Sequence, residues 1–217
     1  MVIATTPSPA SPDSERRLNA FGLSTELIHT ALRPGLSRAT NRTGRALRST
    51  PGTDIYHDGM EQFALVLEDP GWRLVYVDHQ PRLLHPDSVI AFTLASGVNV
   101  GNPDRRRVPR TRKGEATRKS LTAPRATVPT LFDAPEPDQK EELVAAATAA
   151  PLYLLVHERT PRGLNVELSR PAQMTQSGVV DEWVDRIPIA FLDLDGDLAI
   201  FDESGDEGFD VPVEPLR

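Results

Sequence analysis

Two hydrophobic periods alternate along this chain, one of about 3.6 residues and one of two. The helical period opens at 24–33, STELIHTALR. Ser24 or Thr25 supplies a cap, and Leu27, Ile28, Ala31 and Leu32 fall on one face. Pro34-Gly35 reads as the stop. A second, polar helix is expected over 36–47, with Arg38, Arg42 and Arg45 at i, i+4 and i+7. The clearest helical stretch is 59–68. Asp58 and Glu61 form a D-x-x-E capping box, and Met60, Phe63, Ala64 and Leu67 follow at helical spacing. After Asp69-Pro70-Gly71 the period becomes two. Trp72, Leu74 and Tyr76 alternate with Arg73, Val75 and Val77; 81–85 reads as a short edge strand and 88–95 as a buried one.

Past residue 101 the periodicity lapses. Residues 102–137 are rich in proline and hold Arg105, Arg106, Arg107, Arg110, Arg112, Lys113, Arg118, Lys119 and Arg125, with 114–123 able to form a transient helix. They read as an exposed linker. Residues 139–150 are Ala/Glu-rich and predict a short helix. Strands are then expected at 151–158 and 164–169 around the hairpin-length turn Thr160-Pro161-Arg162-Gly163, and at 187–194 and 198–201 around Asp195-Gly196. Residues 179–185 fit either period. The expected fold class is α+β: N-terminal helices plus a small antiparallel meander, a basic linker, and C-terminal antiparallel β-hairpins. The divisions are 1–19 (disordered N-terminus), 20–101 (helix and meander), 102–137 (linker), 138–203 (antiparallel part) and 204–217 (acidic tail). The two ordered parts are free to share one sheet.

Charge changes this picture more than composition does. The formal net charge of −7 conceals a basic stretch over 1–132 and an acidic one over 133–217. The first can attract polyanions, and each can attract the other. Arginine outnumbers lysine twenty-one to three, a bias associated with high-GC bacterial genomes. The absence of cysteine excludes disulfides and thiolate chemistry and suits a reducing compartment. The first residues lack the pattern of a signal peptide, and no apolar run reaches the ~20 residues of a membrane span, so a soluble, cytoplasmic protein is expected.

Candidate chemistry is sparse. Gly35–Thr40, GLSRAT, resembles the turn and recognition-helix start of bacterial repressors of the lactose-repressor type, and Ala31 and Gly35 occupy that family's small-residue positions. The resemblance covers about 20 residues and implies a helix-turn-helix DNA reader. Thr30, Asn41 and Gly44 stand where the family buries apolar residues, and Pro34 falls inside its first helix. An exposed basic helix or loop is therefore the favoured reading. Asp54, His57, Asp58 and Glu61 could share a metal-binding face, but the capping box already accounts for two of them. Pro86-Asp87 and Asp138-Gln139-Lys140 are too far apart for a metal-dependent nuclease motif. Asp193-Leu194-Asp195-Gly196-Asp197 departs from EF-hand spacing. Gly97 and Gly101 lack the Gly-Lys-Ser/Thr of a phosphate loop. Leu131-Phe132 resembles only the end of sliding-clamp-binding peptides.

No catalytic residue, metal or cofactor is expected, and an enzyme ranks third among the readings. The lead expectation is a non-catalytic bacterial accessory protein that contacts DNA or RNA electrostatically. Its contacts would be Arg38, Arg42 and Arg45 together with Arg105, Arg106, Arg107, Arg110, Arg112, Lys113, Arg118 and Lys119. The alternative is a protein-interaction module that uses the acidic C-terminal half.

Overall fold

The N-terminal apolar periodicity builds a three-helix layer. Helix α1 (Pro12–Asn19) starts at Ser11, whose hydroxyl accepts from the Asp13 amide, and it buries Leu18. Residues 12–19 were expected to be disordered; Leu18 and the Arg17–Asp185 ion pair hold them instead. A computed structural model of the chain describes residues 11–102, 108–122 and 139–194.

Helix α2 (Thr25–Thr40) is capped by Ser24 as expected, but it does not stop at Pro34. An interior proline costs about 3 kcal/mol. Packing outweighs that cost, because Leu32, Leu36 and Ala39 are buried against the next helix. Gly35 sets the approach: a Cβ there would lie 2.7 Å from the Ile55 Cα. The separate helix expected over 36–47 is therefore absent, and residues 41–49 are turns. A continuous α2 also removes the turn that the repressor resemblance requires.

Helix α3 (Thr50–Val66) begins nine residues before the expected 59. Pro51 sits at the helix start, where its missing N–H costs nothing. Asp58 and Glu61 are thus mid-helix, so no capping box forms. Met60, Phe63 and Leu67 are buried, as the period predicts.

A six-stranded mixed sheet follows, in the order β1 (Arg73–Val77), β2 (Gln80–Leu84), β3 (Ala91–Ser96), β5 (Leu152–Thr160), β6 (Gly163–Gln173) and β8 (Glu182–Asp193). β1 and β2 turn on Asp78 and His79, both at positive φ, the geometry of a two-residue type I′ hairpin. β2 lies inside the sheet, and β1 takes the edge. β3 and β5 pair in parallel, from Ala91↔Leu152 to Ser96↔His157, so the chain must cross over between them. The crossover contains β4 (Thr111–Arg112), α4 (Glu115–Thr122) and α5 (Gln139–Ala149). β7 (Val179–Val180) pairs with β4. Residues 179–185 are thus strand except at Asp181, divided between β7 and β8. β5 and β6 form the expected hairpin, and a Cβ on Gly163 would lie 1.9 Å from the Leu192 carbonyl oxygen.

The protein is α+β. Alternation along the strands divides its core. Phe92, Leu94, Tyr153, Leu155, Val166 and Leu168 face α1–α3, while their neighbours Ala91, Ala95, Leu154 and Val156 face the crossover side. The Asp195-Gly196 hairpin, the Leu131-Phe132 pair and the acidic tail lie outside the described residues.

Candidate nucleic-acid interface

The end of β3 leads into the 97–102 loop, and two acids, one half-buried and one buried, fix that loop. Val100 and Gly101 donate their amides to Glu158 (2.9 Å) and Glu167 (3.2 Å). Glu167 is fully buried; Arg186 clamps it with bonds of 2.6 and 2.8 Å, and Ser169 donates a third. The Glu167 carboxylate in turn raises the Arg186 pKa. On the returning side, Val98 and Arg110 exchange two backbone bonds of 3.0 Å. The Thr111 hydroxyl donates to the Ser96 carbonyl, and the Trp183 indole N–H donates to the Pro109 carbonyl. These contacts hold open a shallow depression of ≈ 460 Å³ between 96–98, 110–112 and Val179.

The basic residues divide by partner. Arg110 is exposed and stands 3.8 Å from Asp181; Arg112 is exposed and, among the described residues, has no partner. Both line the depression. Arg105, Arg106 and Arg107, three to five residues before Arg110, lie outside the described residues. Arg118 donates to the Thr175 and Gln176 carbonyls and pairs with Glu115, and Lys119 pairs with Asp78 at 3.1 Å. Lys113 points inward. Its ammonium donates to the Leu94 carbonyl at 2.7 Å, and burial, with Arg82 nearby, pulls its pKa down to about 8. Residues 108–122 are therefore packed against the sheet, in contrast to the exposed linker expected from their composition. The reason is polar: Thr111 and Thr117 are buried, and Arg82 reaches α4 from below.

On the helical side, Arg42 makes a two-point bond to Asp54, at 2.8 and 2.7 Å, which lowers the Asp54 pKa. Arg38 Nε is 2.8 Å from Asp58 Oδ2, an ion contact without hydrogen-bond alignment. Two of the three carboxylates of the candidate metal face, Asp54 and Asp58, are thus engaged by arginine. Arg45 is exposed in the 41–49 turns and has no partner among the described residues.

No family model matches the chain, and no curated protein or solved structure matches it.

Three buried polar residues were given no role by the sequence. Arg82 is fully buried and, among the described residues, has no carboxylate bonded to it; it donates to the Gln80 side chain, the Ala147 and Ala116 carbonyls and the Ser120 hydroxyl. Burial lowers its pKa to about 10. His157 is buried on β5, and neither ring nitrogen has a partner among the described residues. Burial, assisted by Lys113, lowers its pKa to about 4, so it is neutral at pH 7. Glu167 is the third. Each occupies a strand position, where alternation alone does not separate a buried polar residue from a solvated one. Among the described residues no group of three or more histidines and carboxylates could hold a metal ion, and no helix is long and apolar enough to cross a membrane.

Proposed function

We propose that this protein contacts nucleic acid electrostatically, as a non-catalytic accessory protein, through the arginines around the β4 depression. Arg110 and Arg112 form the described part of that surface, and Arg105, Arg106 and Arg107 continue it in sequence. The observation that supports the reading is the contrast between anchor and surface. Glu158, Glu167 and Arg186 fix the backbone at residues 100–101, while the Arg110 and Arg112 side chains stay at the surface. Arginines on a fixed backbone keep their guanidinium forks available to phosphate oxygens. Arg38, Arg42 and Lys113 support it less, because Arg42 and Lys113 already donate to internal acceptors and Arg38 is in ion contact with Asp58.

The acidic-surface alternative has less support within 139–194. Glu158 and Glu167 accept backbone amides, and Asp185 takes Arg17 and the Tyr153 hydroxyl.

A filter-binding titration on duplex DNA and on RNA at several salt concentrations tests the proposal. Arg110→Gln/Arg112→Gln is expected to flatten the log–log salt slope by up to about 2 units, at roughly 0.9 per phosphate contact. No binding at low salt, or an unchanged slope in the variant, defeats it.

A further inference from the structure

The two edges of the six-stranded sheet are treated differently. The outer edge of β8 is blocked. Arg17 Nη1 donates to the Arg186 carbonyl at 2.9 Å, and His29 Nε2 donates to the Ala190 carbonyl at 2.9 Å. Residues 186 and 190 therefore point their backbone groups outward, and residue 188, midway between them, does too. That residue is proline and has no N–H to offer. Side chains and a proline thus cover the positions where another strand would add.

The outer edge of β1 has no such cover among the described residues. In the two-residue hairpin, Val77 and Gln80 form the bonded pair next to the turn, so Val77, Val75 and Arg73 face β2. Leu74 and Tyr76 then direct their N–H and C=O groups outward. The Trp72 amide, two residues before Leu74, confirms the parity: it leaves the sheet to bond the Leu67 carbonyl. The same two residues expose apolar side chains, Leu74 by 40% and Tyr76 by 61%.

We infer that β1 is the docking strand for a second copy of this chain, paired antiparallel about Val75. A twofold axis normal to the sheet keeps each face on its own side and allows only registers in which opposed residues share a face. Centred on Val75, Leu74 lies opposite the second copy's Tyr76, and Tyr76 opposite its Leu74. All four outward N–H groups of the two copies then find an outward carbonyl. The exposed leucine and tyrosine become two cross-strand apolar pairs of a stabilising kind. Centring on Leu74 instead opposes Tyr76 to Trp72, whose amide is already bonded. Centring on Tyr76 opposes Leu74 to Asp78, in the turn. The edge is thus complementary to itself in one register, which selects a second copy over an unrelated strand. A five-residue strand pair falls short of the roughly 1,200–2,000 Å² buried by stable interfaces, so the dimer is reversible and concentration-dependent.

Sedimentation of the full chain from low micromolar to near-millimolar concentration tests this. A monomer–dimer equilibrium is expected. Leu74→Lys/Tyr76→Lys places like charges directly opposite one another twice and should weaken the dimer at least about tenfold. Both sites are exposed, and an unchanged melting curve checks that the variant folds. The cysteine-free chain permits a register test. Under mild oxidation Val75→Cys should link two copies, whereas Tyr76→Cys, displaced by two positions from its own copy, should link far less. A monomer at every concentration, a dimer indifferent to the lysines, or linkage through Tyr76→Cys but not Val75→Cys overturns the inference.

Discussion

The two faces of the sheet solve the burial problem in opposite ways. Against α1–α3 the contact is almost wholly apolar, with Phe63, Trp72 and Phe92 stacked edge to face at 5.4 Å between ring centroids. Against the crossover, buried polar groups do much of the holding: Arg82, Glu167, Ser169, Thr111 and Thr117. An apolar contact is non-directional and stabilises in proportion to area. A buried hydrogen-bonded group stabilises less but fixes geometry, and it is costly to leave unpaired. The helical face accordingly supplies stability, and the crossover face positions the basic segment 108–122.

The largest expected effect tests the apolar side. Phe63→Ala leaves a cavity between Phe92 and the surrounding helices and should cost about 3–5 kcal/mol in denaturant unfolding. A loss below about 1 kcal/mol would place the main core elsewhere.

His157 is the one buried polar side chain on β5, and it should give the next largest effect. Its folded pKa is depressed to about 4 from an ordinary 6.5, so the unfolded chain takes up the proton first. Its contribution is fully present above the unfolded value and is lost as pH falls toward the folded one. The loss amounts to about 3 kcal/mol. Unfolding measured between pH 7 and pH 4 should show this slope, reduced in His157→Leu. Equal slopes in the two proteins would mean that the imidazole is solvated.

Arg82 tests the polar side. Arg82→Met keeps much of the volume but takes the side-chain donor from the Ala147 carbonyl and leaves the Ala116 carbonyl with only the Ser120 hydroxyl beside it, at a cost of about 1–3 kcal/mol. The damage should be local. Hydrogen exchange is expected to speed up in α4 and at the end of α5 while the β5–β6 amides keep their protection. Uniform acceleration across the sheet would show that the two faces unfold as one unit and would remove the distinction drawn between them.

That division also explains what could be read without the structure. Met60, Phe63 and Leu67, the strands around 88–95 and 151–169, and the turn at 160–163 were legible because apolar spacing reports one-sided burial directly. The stop of α2 and the start of α3 were not. Pro34 carries a real local penalty, and only Leu36, Ala39 and Gly35 meeting Ile55 show why the helix continues through it. The Asp78–His79 turn lacks the glycine that marks such hairpins. Residues 108–122 read as solvated because composition cannot reveal acceptors that are distant in sequence, such as the Leu94 carbonyl that receives Lys113. The basic candidates were found as a set, but which of them are already engaged depends on Asp54, Asp58 and Asp78, contacts that spacing does not encode.

The smallest effect should come from the arginines at the depression. Arg112 has no partner among the described residues, and Arg110 only a loose one at 3.8 Å. Exposed charges of this kind contribute little to stability, so Arg110→Gln/Arg112→Gln should shift unfolding by less than about 0.5 kcal/mol. Glu167→Gln is the informative companion. It removes the charge that Arg186 clamps and weakens the acceptor of the Gly101 amide, yet it touches neither surface arginine. If the crossover face positions the basic segment, Glu167→Gln should reduce nucleic-acid affinity while the salt slope stays at its wild-type value, because the number of phosphate contacts is unchanged and only their pre-organisation is lost. The double arginine variant should do the reverse and lower the slope with stability intact. Binding measured at three or more salt concentrations, alongside unfolding curves for both variants, separates the two behaviours. A slope that falls equally in both would mean that the buried acid and the surface arginines act as one electrostatic patch, and the distinction between anchor and contact surface would be lost.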